Sequence, residues 1–62
     1  MKVREVICRL IDDGWLQVSQ KGSHRQFKHP IKLGKVTVTG KLSDDIPIGT
    51  YKNILRQAEL EG

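Results

Sequence analysis

The sequence predicts a small α+β domain in which one helix precedes, and another follows, a three-stranded antiparallel sheet (α-β-β-β-α). Two features predict it. Apolar residues recur with a helical period near each end of the chain, and between these segments apolar residues alternate with polar ones. The chain has 62 residues, so we expect a single domain, spanning residues 1–62, with a marginal core.

The first helix is predicted over residues 2–13. One face of it is apolar, because apolar residues recur at the spacing i, i+3, i+4, i+7 and i+8: Val3, Val6, Ile7, Leu10 and Ile11. Gly14 suits the left-handed backbone that commonly ends a helix, and Trp15 would then pack back onto Leu10.

Three strands are predicted between residues 16 and 39. The first covers 16–19 and is followed by a turn at 20–23, where Gly22 tolerates a positive φ. The second lies within 21–29 and ends before Pro30, because proline cannot donate to a sheet ladder. The third covers 35–39 and is rich in β-branched residues.

A connection over residues 40–49 leads to the second helix. Thr50 is expected to cap its N-terminus, and apolar residues then recur on one face: Tyr51, Ile54, Leu55 and Ala58. Both helices are expected on one face of the sheet, with the other face left to solvent. The expected core comprises Val3, Val6, Ile7, Leu10, Ile11, Trp15, Leu16, Val18, Phe27, Val36, Val38, Ile54 and Leu55.

Positive charge is concentrated in the middle of the chain. The net charge is +4, and no Asp or Glu occurs between Gly14 and Ser43. The same segment contains six cations: Lys21, Arg25, Lys28, Lys32, Lys35 and Lys41. This asymmetry favours a surface that faces phosphates, and the alternative is a solvated lysine-rich sheet without a partner.

Several classes of protein are disfavoured by composition. The single cysteine, Cys8, cannot form an intramolecular disulfide, and it has no metal-ligand spacing to either histidine. The small core leaves little room for a deep cofactor pocket, so we expect neither a cofactor nor a metal. Residues 1–13 carry too many charges for a signal sequence, and no apolar run reaches membrane length. We therefore expect a soluble, cytoplasmic protein.

The segment Lys21–His29 contains both histidines and no acid. As a strand it must turn Phe27, its only large apolar residue, toward the core, and alternation puts Ser23 and Arg25 on the same side. The solvent side then carries three polar residues: His24, Gln26 and Lys28.

These residue types suit the cleavage of RNA without a metal. A base must take the proton of the 2′-OH, an acid must protonate the leaving 5′-oxygen, and cations must stabilise the charge on phosphorus. Histidine, with an ordinary pKa of about 6.5, suits proton transfer, which points to His24. The candidate RNA-binding residues are Lys21, Ser23, Arg25 and Lys28. His29 would lie about 16 Å along an extended strand, which favours a structural role at the strand end.

Several motifs resemble the HicA toxin family, in the family's order: Asp13-Gly14-Trp15, Gly22-Ser23-His24-Arg25-Gln26-Phe27, Val36-Thr37-Val38, Gly49-Thr50 and Ile54-Leu55-Arg56-Gln57-Ala58. The resemblance implies a fold like the double-stranded RNA-binding domain and an activity as an endoribonuclease that cleaves mRNA, with His24 as its catalytic residue. It also implies a HicB-type antitoxin as partner, expected to cover the His24 surface. Many members carry a proline and one or two histidines after the third strand, where this chain has Thr39-Gly40-Lys41.

Two other functions fit the same residues. A cationic α-β-β-β-α domain can bind RNA through phosphates and 2′-hydroxyls without any chemistry. It can also serve as a protein-interaction subunit whose basic face binds an acidic partner. Loss of His24 would weaken binding only modestly in the first case, so the effect of that loss separates a nuclease from an RNA-binding module.

Overall fold

The computed structural model describes residues 1–60. Its elements follow the predicted order: α1 (Val3–Asp12), β1 (Leu16–Lys21), β2 (His24–Lys28), β3 (Val36–Thr39) and α2 (Ile48–Gln57). The strands form one open antiparallel sheet in the order β1-β2-β3. The predicted fold class is therefore confirmed, and the architecture is consistent with a fold like the double-stranded RNA-binding domain.

The core lies between the two helices and one face of the sheet. Its buried residues come from α1, β2, β3, α2 and the segments beside them: Val3, Val6, Leu10, Trp15, Phe27, Val36, Val38, Ile46, Ile54 and Ala58. Of these, Ile46 and Ala58 were not in the predicted core. Ile46 lies in the connection before α2, and Ala58 was predicted only on the apolar face of the second helix. Ile11 was predicted in the core but is 54% exposed, because it lies in the last turn of α1, at the edge of the apolar face.

The end of α1 has the predicted geometry. Gly14 has a φ of 102°, and the Trp15 N–H donates to the Leu10 carbonyl at 3.0 Å, which is the long-range bond of a Schellman motif. This turn delivers the Trp15 side chain to the core, where it is fully buried. A Cβ on Gly14 would come within 2.8 Å of His29 Nε2. Both this close contact and the positive φ therefore disfavour a larger residue at this position.

The β1 strand differs from its prediction. Leu16 and Val18 were assigned to the core, but they are 60% and 53% exposed. Leu16 pairs with the exposed Lys28, and Val18 lies in a bulge between Gln17 and Ser19, which changes the face that the residues after it occupy. The helix-facing positions of this edge strand belong to glutamines, and Gln17 Nε2 donates to Gln20 Oε1 at 3.1 Å.

The α2 helix begins earlier than predicted. Pro47, not Thr50, is the N-cap residue, and the Tyr51 N–H donates to the Pro47 carbonyl at 3.0 Å. The prediction of Thr50 as the cap is therefore wrong, because proline, with its restricted φ, already sets the entry into the helix. Neither described helix is long and apolar enough to cross a membrane.

Candidate functional site on the open face of the sheet

The open face of the sheet carries His24 at one end. Strand pairing places Lys21 of β1 directly opposite His24, and His24 directly opposite Thr39 of β3. Side chains of directly paired residues point to the same face, with Cβ atoms about 4.5–5.5 Å apart. All three residues are exposed, and we call them the His24 row. An imidazole thus lies between an ammonium group and a hydroxyl group.

The hairpin between β1 and β2 creates this arrangement. Its loop is Gly22-Ser23, and Gly22 has a φ of 61°, as in a two-residue loop with glycine at its first position. Gln20 Nε2 donates to the Gly22 carbonyl at 3.1 Å, which holds the loop against β1. The loop therefore sets Lys21 opposite His24 and leaves Ser23 exposed at the tip.

The predicted alternation of β2 is confirmed. Arg25 and Phe27 are buried on the helix side, whereas His24 and Lys28 are exposed on the open face. Lys28 lies four residues from His24, about 13 Å along the strand. The pair Gln26 and Thr37 lies between these two ends of the face. The open face therefore presents cations at both ends and neutral polar groups between them.

Arg25 is placed apart from the other candidate RNA-binding residues. It is 9% exposed, and its Nη1 donates to the Gly40 carbonyl at 2.7 Å. Gly40 directly follows Thr39 at the end of β3 and has a φ of 109°. The guanidinium therefore ties β2 to the end of β3 from the helix side, behind the His24 row.

Lys32, another of the central cations, is also used inside the fold. Its Nζ donates to Asp13 Oδ2 at 2.6 Å and to the Ala58 carbonyl at 3.0 Å. It thus joins the C-terminal ends of both helices, where cations interact favourably with the helix dipoles. Because of Lys32 and Arg25, the positive charge of the central segment does not all face solvent.

His29 lies beside Asp13 and Lys32 and bonds to the backbone of both. Its Nδ1 accepts hydrogen bonds from the backbone N–H groups of Ile31 and Lys32, each at 3.0 Å, so Nδ1 carries no proton. Nε2 therefore carries the proton and donates it to the Asp13 carbonyl at 2.8 Å. The ring also packs edge-on against Trp15, with centroids 5.3 Å apart. Both ring nitrogens are occupied, as the predicted structural role requires.

The Asp13–Lys32 pair makes stability depend on pH. The hydrogen bond from Lys32 holds the pKa of the Asp13 carboxyl below its ordinary value of 3.8. A carboxyl with a lowered pKa contributes stability above its ordinary pKa and loses it as the pH falls through the folded value. We expect the free energy of unfolding to fall below about pH 4, and less so in Asp13→Asn. Urea unfolding across this pH range measures it.

Asp12→Asn is the matched control for that experiment. Asp12 is the exposed neighbour of Asp13, and its substitution removes the same formal charge. It should leave the acid dependence of the parent chain intact. An unchanged acid dependence in Asp13→Asn would contradict the role given to the pair.

Thr39 is the site residue that sequence reasoning missed. The signal was present: Val36 and Val38 face the core, so Thr37 and Thr39 must face outward. Only the register between β2 and β3, however, shows that Thr39 is the residue that pairs with His24. Among residues 1–60, no group of three or more His, Cys, Asp or Glu side chains is arranged to hold a metal ion.

Comparison with known proteins gives the family. The chain matches the family model described as HicA toxin of bacterial toxin-antitoxin over residues 3–60. No curated protein matches it significantly. The matched span includes both helices, the sheet and the His24 row. The match therefore confirms the resemblance seen in the sequence: the chain belongs to the HicA toxin family, the toxins of bacterial toxin–antitoxin systems.

Proposed function

We propose that this toxin is a metal-independent endoribonuclease that cleaves cytoplasmic mRNA with His24 as its catalytic residue. The observation that carries the proposal is the exposed imidazole of His24 between Lys21 and Thr39, on a face formed by strands without acids. Family membership supports the same conclusion.

The proposed reaction is attack by a ribose 2′-oxygen on the adjacent phosphorus. His24 takes the proton of the 2′-OH, the new bond from the 2′-oxygen to phosphorus forms, and the bond from phosphorus to the 5′-oxygen breaks. The products are a 2′,3′-cyclic phosphate and a 5′-hydroxyl, the latter protonated by the imidazolium or by solvent. The Lys21 ammonium, directly opposite His24, stabilises the charge that develops on the phosphate oxygens.

The phosphate contacts are assigned to residues that share this end of the molecule. Lys21 and Ser23 flank His24 at the hairpin, and Lys28 holds the RNA backbone farther along β2. Arg25 remains a candidate for RNA contact, but its bond to Gly40 gives it first a positioning role: it holds Thr39 beside His24.

Incubation of the chain with a long single-stranded RNA in excess EDTA tests the proposal. We expect fragments that end in 2′,3′-cyclic phosphate and begin with a 5′-hydroxyl. Fragments with 5′-phosphate ends, or cleavage that EDTA abolishes, would contradict the proposed chemistry.

The lysines of the open face should determine how salt affects RNA binding. Each lysine that contacts a phosphate of single-stranded RNA contributes about 0.7 to the slope of log affinity against log salt. We expect Lys21→Ala and Lys28→Ala each to reduce the slope by about this amount, measured by fluorescence anisotropy at several salt concentrations.

Lys52→Ala supplies the control for this measurement, because Lys52 is an exposed lysine on α2, away from the open face. It removes the same charge and should leave the slope nearly unchanged. Equal effects from all three substitutions would indicate that net charge, rather than this face, binds RNA.

The antitoxin is proposed to be of the HicB type and to cover the His24 row. Leu16 and Val18 support this, since they are large apolar side chains exposed on β1, with Leu16 paired to Lys28, and exposed apolar patches are typical of protein interfaces. An antitoxin on this face would exclude RNA directly. A structure of the complex in which the His24 row stays open would favour allosteric inhibition instead.

A further inference from the structure

A cleft of about 250 Å³ lies along the free edge of β3. Thr37 and Thr39 form its sheet side, and Pro47 and Thr50, at the beginning of α2, form the other side. Apolar atoms of Val3 and Ile54 line the same cleft. Its size is slightly below that of typical small-molecule pockets, and its lining combines apolar residues with three threonines.

The cleft is continuous with the His24 row, because Thr39 belongs to both. Thr39 is the direct cross-strand neighbour of His24, with Cβ atoms about 4.5–5.5 Å apart in such pairs, and the cleft opens on the other side of Thr39, at the free edge of β3. An RNA strand whose phosphate lies at His24 therefore has an adjacent base within reach of the cleft. Sequence-specific RNA recognition commonly uses such unstacked bases, with hydrogen bonds to their edges.

The cleft differs from the open face in its charge. Asp44 and Asp45 are among the residues that line it, whereas the strands of the open face contain no acid. A carboxylate repels a phosphate but accepts hydrogen bonds from the amino and ring N–H groups of bases. The cleft is thus suited to a base rather than to the RNA backbone.

Asp45 is the carboxylate of the pair that we assign to base contact. Asp44 Oδ2 accepts from the Lys41 N–H at 3.0 Å and so stabilises its own turn. Asp45 Oδ1 pairs with Lys2 Nζ at 3.1 Å, and the Asp45 side chain is 75% exposed. Lys2 partly compensates the charge of Asp45, and the Asp45 side chain stays largely accessible.

We propose that this cleft holds one nucleobase next to the scissile phosphate, and that Asp45 selects bases that carry an amino group over uracil. Guanine, adenine and cytosine each present an amino donor to a carboxylate. Uracil presents one N–H flanked by two carbonyl oxygens, which the carboxylate repels. The inference rests on the proposed ribonuclease function and adds its base selectivity.

Binding of short RNAs to the His24→Ala chain tests selectivity without cleavage. The probes are heptauridylate and three heptamers in which guanosine, adenosine or cytidine replaces the central uridine. We expect the amino-bearing heptamers to bind roughly tenfold more tightly than heptauridylate. Asp45→Asn should reduce this ratio to near one, and Asp12→Asn, which removes an equal charge from α1, should retain it.

The possible results distinguish base selection by Asp45 from the proposed nuclease function. If the heptamers bind without base preference, or if the preference survives Asp45→Asn, base selection by Asp45 is wrong while the nuclease proposal stands. If none of the RNAs binds, both are overturned. A second measurement uses the active chain: Asp45→Asn should broaden the distribution of cleavage sites on a long RNA.

Discussion

Replacing His24 with alanine is expected to reduce the rate of RNA cleavage by about 10²–10⁴-fold, the usual contribution of general acid–base catalysis. RNA affinity should change far less, because the phosphate contacts proposed for Lys21, Ser23 and Lys28 remain. The measurement is single-turnover cleavage of a defined RNA, beside binding by fluorescence anisotropy.

The fold should survive this substitution, since His24 is exposed and its imidazole has no hydrogen-bond partner among the described residues. Asn53→Ala, at an exposed position on α2, is the control and should keep full activity. Cleavage that persists in His24→Ala would assign the chemistry to another group. If the parent binds RNA without cleaving it, the protein is an RNA-binding module.

Phe27→Ala should have the largest effect on stability. Phe27 is fully buried on the helix side of β2, and truncation of a buried phenylalanine costs about 3–5 kcal/mol. The free energy of unfolding of natural domains is only about 5–15 kcal/mol, and a chain of this size lies near the lower end. We expect a large loss of folded protein, and of activity with it, measured by urea unfolding monitored by circular dichroism.

Asn53→Ala serves again as the reference and should change the unfolding free energy by less than about 0.5 kcal/mol. Two results would separate the faces of β2: His24→Ala inactive but stable, and Phe27→Ala unstable. A Phe27→Ala chain that unfolds like the parent would contradict the position of Phe27 in the core.

The faces of β2 could be predicted from sequence because one residue decides them. Phe27 must be buried, and strict alternation then assigns each neighbour. The same reasoning failed for Leu16 and Val18, because no residue of β1 decides which face is buried. Gln17, not Leu16, pairs with Phe27, and Val18 lies in a bulge that nothing in the local sequence marks. Thr50 was misplaced because helix ends are the least certain part of a helix prediction, and Ile11 because it lies at the edge of the apolar face of α1.

The candidate site was predictable where it depends on local order and not where it depends on pairing. His24, Lys21 and Lys28 follow from one hairpin. Arg25 and Lys32 bond to groups 15 to 26 residues away in sequence, so no local pattern could separate them from lysines that face solvent. Predicting the position of Thr39 beside His24 likewise requires the register between β2 and β3.

The separation of the two faces of β2 has a genetic consequence. Under the proposed function, a missense change at His24 abolishes the toxin's activity without unfolding the chain. The cell would then carry an inactive toxin that still binds antitoxin and so lowers the amount available to restrain any active copy. Changes at Phe27, in contrast, remove the protein altogether and leave the antitoxin free. A changed His24 allele should therefore affect active toxin made from another gene copy, by binding antitoxin. A changed Phe27 allele should have no such effect.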